Sequence, residues 1–235
     1  MTVLRTIIQD VAAVRERDPA ARSSLEVLVS YPGLHAVWSH RIAHWLWKRD
    51  LRFLARAVSA AARVMTGVDI HPAARLGPGL FIDHATGVVI GETAEVGANV
   101  TIYQGVTLGG TSLERVKRHP TVGDCVTIGA GAKLLGAITI GHDSRIGANA
   151  VVVHDVPPNS VVVGVPGQVI ARSRPRPPGS PPDLDETLLP DLVGASLNML
   201  QRRVDELERE VTGHVSVHDV RPSESGVWPG HDFSI

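Results

Sequence analysis

The sequence predicts a mainly β protein, in which a coiled solenoid of short strands follows an α-helical N-terminal domain and precedes a partly disordered tail. Three observations lead to this prediction. Apolar residues are spaced as in helices up to residue 66, aliphatic residues recur every six positions from residue 70 to residue 152, and proline is concentrated after residue 172. The predicted domains are 1–67, 68–172 and 173–235.

The N-terminal domain is predicted to hold three helices. In the first, apolar residues at 3–14 form one stripe at helical spacing, and Asp18-Pro19 ends it because the residue before proline resists the helical conformation. Two more helices are predicted around 34–46 and 51–64, and Gly67 ends the last of them.

The solenoid is predicted from the six-residue period, which keeps its phase except at two insertions. Two extra residues precede Ile90, and an eight-residue loop is inserted between Leu108 and Val122. A repeat this short suits short strands joined by tight turns. A β-sandwich has turns about every 8–12 residues and does not hold one phase.

The last domain begins with a proline-rich, polar linker at 172–183, which is not expected to pack. A short helix is predicted around 192–211, and residues 218–235 read as a flexible tail. The apolar residues on one side of the predicted helix are Leu197, Leu200, Val204, Leu207 and Val211.

Composition excludes several classes of protein. A hydrophobic fraction of 43% argues against wholesale disorder, and a net charge of −1 gives no basic field for nucleic acid or a membrane surface. Cys125 is the only cysteine, so no disulfide framework is expected. The first residues lack the features of a signal peptide, and no apolar run of about 18 residues occurs. The sequence therefore predicts a soluble cytoplasmic protein.

The repeats resemble the hexapeptide acyltransferases, and the motifs within them resemble the serine O-acetyltransferase family over roughly residues 10–172. The resemblance implies a left-handed parallel β-helix that works as a homotrimer, because the N-terminal extension that joins two trimers in many members is shortened here. The loop SLERVK departs from the glycine-rich stretch of the family and leaves turnover and regulation open. The motifs are RDPA at 17–20, HRIAHWLW at 40–47, GVDIHPAA at 67–74, IDHATGVVIGETA at 82–94, VTLGGT at 106–111, RHP at 118–120 and VGVPG at 163–167.

The resemblance implies transfer of acetyl from acetyl-CoA to L-serine, giving O-acetyl-L-serine and CoA, the first committed step of cysteine biosynthesis. Acetyl transfer to an alcohol needs a base, a group that orients it and donors for the oxyanion. His84 is the expected base, and the resemblance assigns Asp69, fifteen residues earlier in a neighbouring coil, as its carboxylate partner. Direct transfer in a ternary complex is expected because the sequence offers no obvious nucleophile.

A zwitterionic substrate needs a cation for its carboxylate and anions for its ammonium group. Arg118 is expected to clamp the carboxylate and His119 to donate a further hydrogen bond. By resemblance both come from the long loop of a neighbouring subunit, and Asp83 and Asp18 resemble the ammonium-binding pair. Glu92 lies in the same region without an assigned role.

The resemblance also implies a groove for acetyl-CoA as co-substrate, with no tightly bound cofactor and no metal. Glycines permit close approach of the main chain, and an N–H there serves the oxyanion. Family members end in isoleucine, which inserts into O-acetylserine sulfhydrylase, so Ile235 predicts that enzyme as a partner. The expected groove residues are Gly109, Gly110, Thr111, Ala130, Arg145 and Ala148.

Three other functions remain open at this point. A zinc enzyme on the same scaffold, such as a γ-class carbonic anhydrase, needs three histidines around one metal. An acetyltransferase for a sugar or homoserine keeps the fold but changes the pocket, and a non-catalytic protein only tethers the sulfhydrylase. The histidines available to a metal are His71, His84, His119, His142 and His154.

Overall fold

Residues 3–172 and 192–212 are described by a computed structural model. The chain divides into two compact units, 1–189 and 190–235. Most of the predicted proline-rich linker, the predicted tail and Ile235 lie outside the described residues. None of the described helices is long and apolar enough to cross a membrane.

Four helices precede the solenoid: α1 (Val3–Arg17), α2 (Ser24–Ser30), α3 (Pro32–Trp47) and α4 (Arg52–Thr66). Three of them confirm the predicted helices, and α4 ends at Gly67, which adopts a left-handed conformation at φ 73°. The short α2 was not predicted. It begins at Ser23, whose side chain accepts a hydrogen bond from the Glu26 N–H at 3.1 Å. The sequence Ser-Ser-Leu-Glu has the spacing of a capping box, so this signal was available.

Short strands carry the six-residue period through the second part of the chain, each ending on or near one of the predicted aliphatic residues. A 21-residue helix, α5 (Leu192–Thr212), lies in the second unit and confirms the predicted C-terminal helix. The strands are β1 (Asp69–Ile70), β2 (Arg75–Leu76), β3 (Phe81–Ile82), β4 (Val89–Ile90), β5 (Glu95–Val96), β6 (Thr101–Ile102), β7 (Thr107–Gly109), β8 (Thr121–Val122), β9 (Thr127–Ile128), β10 (Lys133–Leu135), β11 (Thr139–Ile140), β12 (Arg145–Ile146), β13 (Val151–Val152), β14 (Ser160–Val163) and β15 (Gln168–Arg172).

The strands stack into three parallel sheets, which form the three faces of the solenoid. Face A has the order β1-β4-β7-β10-β13, face B has β2-β5-β8-β11, and face C has β3-β6-β9-β12-β14 with β15 added antiparallel. Asp69 aligns with Val89 and Val89 with Thr107, so each coil visits the faces in the order A, B, C. We call the turns from face C to face A the C–A edge, and those from face A to face B the A–B edge.

The core is a ladder of aliphatic side chains along the solenoid axis. Ile90, Leu108 and Leu134, one from each of three successive coils, are at most 1% exposed. Their strands pair in parallel with matched register, so equivalent side chains stack above one another. Because the strands stack in register, the turns between them also stack along the edges of the solenoid.

Buried ionic groups attach α1 to the first coils of the solenoid. Asp10 is fully buried and accepts hydrogen bonds from the Trp38 indole at 3.2 Å, the Arg41 guanidinium at 2.9 Å and the Gly79 N–H at 3.0 Å. Arg17 donates to the carbonyl oxygens of Gly79 at 3.1 Å and Val100 at 3.2 Å. A buried charge needs such partners to be tolerated. These contacts set the end of α1, and therefore Asp18, against the solenoid.

A buried histidine joins α3 to the first coil. His40 is 5% exposed and its Nε2 donates to the Ala74 carbonyl oxygen at 3.1 Å, while its Nδ1 has no hydrogen-bond partner among the described residues. Burial, followed by the charge of neighbouring His44, lowers the pKa of His40 to about 3. Because the unfolded chain binds this proton near pH 6.5, protonation of His40 opposes folding between those two pKa values.

We therefore expect the free energy of unfolding to fall as the pH falls below about 6.5, by about 1.4 kcal/mol per pH unit from this group. The test compares urea unfolding at about pH 7 and about pH 5.5 in wild type and His40→Gln, at one protein concentration. The variant should lose about 1 kcal/mol less than wild type over this interval. His154→Gln, at an exposed histidine, is the control and should behave as wild type. Equal losses in wild type and His40→Gln would contradict the prediction.

Candidate active site

His84 lies on the C–A edge, in the turn between β3 and β4. Its backbone is left-handed at φ 56°, and its N–H donates to the Asp83 carboxylate at 2.9 Å. Farther along the turn, the Gly87 N–H donates to the Gly67 carbonyl oxygen at 3.0 Å, which attaches the turn to the preceding coil. The His84 side chain is 71% exposed. An imidazole in this position is accessible to a substrate from outside the solenoid.

Two carboxylates lie near this turn: that of Asp83, 3.7 Å from His84 Nε2, and that of Asp18, whose charge acts on Asp83. Asp18, at the end of α1, accepts hydrogen bonds from the Tyr31 hydroxyl at 2.6 Å and from the Ala20 N–H at 2.7 Å. Burial and the charge of Asp18 raise the pKa of Asp83. Burial and the hydrogen bond to Asp18 raise the pKa of Tyr31 to about 12. No arginine or lysine in the described chain forms an ion pair with either carboxylate, so the pair favours a cationic ligand.

Asp69 shares the edge with His84 but does not bond to it. The Asp69 N–H donates to the Val88 carbonyl oxygen at 2.9 Å, in the coil to which the His84 turn leads. Its carboxylate lies 3.4 Å from the Arg63 guanidinium and is 41% exposed. Among the described residues Asp69 and His84 form no hydrogen bond with each other. The predicted dyad therefore stays a prediction.

The A–B edge holds a second polar cluster. The Arg118 guanidinium lies 2.6 Å from the Glu92 carboxylate, and this hydrogen bond is the main cause that lowers the pKa of Glu92. Lys117, the preceding residue, donates to the Thr93 carbonyl oxygen at 2.7 Å. These contacts hold the end of the long loop against the coil below it. Glu92 therefore orients Arg118, a role that the sequence left unassigned.

Thr93 orients the His119 ring and determines which ring nitrogen carries the proton. Its hydroxyl oxygen accepts the backbone N–H groups of Arg118 at 3.0 Å and His119 at 3.1 Å. The hydroxyl and the N–H of Thr93 lie 2.9 and 3.2 Å from His119 Nδ1. Because a backbone N–H only donates, Nδ1 accepts and the proton of the neutral ring is on Nε2. Burial, then the charge of Arg118, lowers the pKa of His119 and so favours this neutral form.

Gly91 makes room for the His119 ring. A Cβ at this position would collide with the imidazole carbon and nitrogen of His119. Gly91, Thr93 and Tyr31 were not among the predicted site residues. In the sequence, the only feature that marks Gly91 and Thr93 is their place in the motif GETA. The only feature that marks Tyr31 is its place before Pro32.

The two clusters lie on different edges of one chain. Asp83 and His84 precede β4, whereas Glu92 follows it, so face A separates them. Within the described chain no hydrogen bond or ion pair links Arg118 or His119 to His84, Asp83 or Asp18. One solenoid therefore carries two half-sites.

The predicted acetyl-CoA residues are divided in the same way. Ala130 and Ala148 follow His84 down the C–A edge, where the Asn149 N–H donates to the Ala130 carbonyl oxygen at 2.8 Å. Gly109 ends β7, and Gly110 and Thr111 begin the long loop on the A–B edge. Arg145 instead lies in β12 on face C, beside Thr127 and Val161. Backbone hydrogen bonds join successive C–A turns: the Gly105 N–H donates to the Thr86 carbonyl oxygen at 2.9 Å, and the Gly131 N–H donates to that of Gln104 at 2.8 Å.

The histidines considered for a metal lie at different places on the solenoid. His71 and His119 lie on the A–B edge, whereas His84 lies on the C–A edge and His142 follows β11 on face B. Within residues 3–172 and 192–212, no three histidine, cysteine or acidic side chains come together as metal ligands.

Two family models match the chain. One, described as serine acetyltransferase, N-terminal, matches residues 1–39, and one described as bacterial transferase hexapeptide (six repeats) matches residues 119–154. A serine acetyltransferase of Mycobacterium tuberculosis is 64% identical over 226 residues, which is 96% of this chain and 97% of that protein. The chain belongs to the serine acetyltransferase family. A Bacillus subtilis family member is 51% identical over 88% of this chain and 94% of its own length.

Solved structures of the family share the fold. A serine acetyltransferase of Neisseria gonorrhoeae in complex with serine superposes with a TM-score of 0.70 at 49% identity, over 72% of this chain and 69% of that chain. One of Brucella abortus in complex with coenzyme A gives 0.71 at 46% identity, over 73% and 68%. The predicted left-handed parallel β-helix is confirmed, and this family member is an acyltransferase of the hexapeptide-repeat superfamily.

Proposed function

We propose that this family member transfers the acetyl group of acetyl-CoA to the hydroxyl of L-serine. The observation that carries the proposal is the division of charge between the half-sites. Asp18 and Asp83 form an anionic pair beside the exposed His84, whereas Arg118 and the Nε2–H of His119 form a donor pair. An α-amino acid is recognised by such opposite groups, its ammonium at the carboxylates and its carboxylate at the guanidinium. The family relatives solved with serine and with coenzyme A support both substrates.

A homotrimer joins the two half-sites. Cyclic association of three solenoids repeats one contact, in which the C–A edge of one protomer faces the A–B edge of the next. Each of three sites then takes Asp18, Asp83 and His84 from one protomer and Arg118 and His119 from its neighbour. The acetyl-CoA groove follows the same boundary, because its proposed residues other than Arg145 are divided between the same two edges.

The proposed reaction proceeds in one ternary complex. His84 accepts the proton of the serine hydroxyl as the oxygen attacks the thioester carbonyl carbon. A main-chain N–H near Gly109 or Gly110 stabilises the tetrahedral oxyanion. The carbon–sulfur bond then breaks, the acetyl group stays on the serine oxygen, and the imidazolium returns its proton to the CoA thiolate. Asp69, once turned from Arg63, orients the imidazole. Cytoplasmic location and the sulfhydrylase contact of Ile235 stay predictions.

The experiment that tests the proposal is thiol release from acetyl-CoA with L-serine, with L-homoserine and with no acceptor, in the presence of a chelator. We expect release that requires L-serine and initial-rate lines that intersect when both substrates vary. Parallel lines would indicate an acetyl-enzyme and contradict the ternary complex. Faster release with homoserine would overturn the serine assignment, and chelator-sensitive release would favour the zinc alternative. Absence of release with every acceptor would favour the non-catalytic alternative.

A further inference from the structure

Helix α5 carries an apolar stripe that the proposed active site does not use. Its five members, at successive spacings of three, four, three and four residues, are all at least 45% exposed. This spacing is the heptad pattern, in which the first, third and fifth members occupy a positions and the others occupy d positions. The members are Leu197, Leu200, Val204, Leu207 and Val211.

The stripe is narrower than the apolar face of a helix that packs on a globular core. The positions opposite it are charged, with Arg202 and Arg209 both exposed, and Met199 is an isolated apolar residue outside the stripe. A seam confined to a and d positions is the pattern of a helix that pairs with another helix. Most of the stability of a helix comes from packing its apolar face, so this seam requires a partner.

Charges beside the stripe select the partner and its direction. Arg203 occupies a g position and Glu208 the following e position. In a parallel, in-register pair, g of one helix faces the next e of the other, so Arg203 meets Glu208 of the second copy. An antiparallel pair that overlaps the whole helix brings Arg203 opposite its own counterpart, which is repulsive. Arg203 also forms an intrahelical ion pair with Glu206 at 2.8 Å, and a guanidinium has donors for both.

We propose that α5 forms a parallel, in-register coiled coil with α5 of a second copy of this chain. Valine at two of the three a positions with leucine at both d positions favours pairing of two helices, so in the proposed ring of three the remaining α5 pairs with a copy in another ring. The helix lies outside the unit that carries the half-sites. The pairing therefore adds a contact between copies that is separate from the solenoid edges, and it does not rest on the proposed acetyl transfer.

Disulfide trapping in the full chain tests the pairing and its direction. In a Cys125→Ser background, Leu207→Cys puts a thiol at a d position, where parallel in-register helices approach within disulfide range. Arg209→Cys puts one on the solvent side, two residues away. Under mild oxidation we expect Leu207→Cys to form a species of twice the 25.0 kDa chain mass at least about tenfold faster than Arg209→Cys. Equal rates would overturn the proposal, as antiparallel pairing separates the two Leu207 positions by about 15 Å along the axis.

A second pair of variants separates stripe packing from mere proximity of the tails. Leu200→Glu, added to Leu207→Cys, should reduce cross-linking to the Arg209→Cys rate, because a carboxylate at d is desolvated in the pair. Met199→Glu adds the same charge beside the stripe and should leave cross-linking unchanged. Equal effects of the two glutamates would contradict packing of the stripe. Acetyl transfer by the same variants is recorded separately, so failure of either proposal leaves the other standing.

Discussion

Replacement of His84 by asparagine is expected to lower kcat for serine-dependent thiol release by about 10²–10⁴-fold, the usual contribution of a general base. This corresponds to about 3–5 kcal/mol of lost transition-state stabilisation. Asparagine is the matched replacement because His84 has a left-handed backbone at φ 56°, a conformation that asparagine tolerates. The fold of the turn should therefore survive while the group that accepts the proton is removed.

His142→Asn is the control for this change. His142 is also exposed and also has an aspartate as its neighbour in sequence, with its Nδ1 2.7 Å from the Asp143 carboxylate, but it follows β11 on face B. Wild-type kcat is expected in this variant. A loss smaller than about tenfold in His84→Asn would reject the general-base role. If kcat held and only the KM for serine rose, His84 would be a binding residue.

The repeating part of the fold was predictable because every coil obeys the same local rule. Aliphatic residues such as Ile90 and Leu108 occupy one position in each six, and both are buried at that position in the ladder. The predicted insertion before Val122 is the long loop on the A–B edge. The left-handed coiling was predicted from the family resemblance, because the six-residue period is compatible with either handedness.

Contacts between distant segments were not predictable in the same way. The carboxylate of Asp10 accepts hydrogen bonds from Trp38, Arg41 and Gly79. No motif in the sequence indicates that these residues meet. The hydroxyl of Thr93 likewise makes three hydrogen bonds to a loop 25 or 26 residues away. Such contacts arise when coils and helices pack together. The residue pattern within one coil therefore gives no information about them.

The sequence names the residues of the candidate site but does not contain their arrangement in one chain. Asp18 and Asp83 lie together as expected, and Arg118 and His119 share one loop. Asp69 instead forms an ion pair with Arg63 at 3.4 Å, which the sequence did not predict. Face A separates His84 from Arg118 within one chain. The proposed trimer is therefore needed to bring these two residues together in one site.

Chains with different single defects are expected to restore activity when they assemble together. His84→Asn chains keep Arg118, and Arg118→Ala chains keep His84, so each alone should form only defective sites. In a closed ring of three, any mixture of the two chains creates one junction where an intact His84 faces an intact Arg118. With equal random mixing, about three quarters of the rings are mixed and each holds one intact site of three. The expected kcat per chain is therefore about a quarter of wild type.

The measurement uses two affinity tags to isolate oligomers that contain both chains, and these should show about one third of the wild-type rate per oligomer. The matched control combines His84→Asn with His84→Ala, which share the C–A defect and should remain inactive together. If both half-sites belonged to one chain, neither mixture would recover. Recovery in the first mixture alone therefore requires that His84 and Arg118 meet across a boundary between protomers, as the division of charge between the two edges predicts.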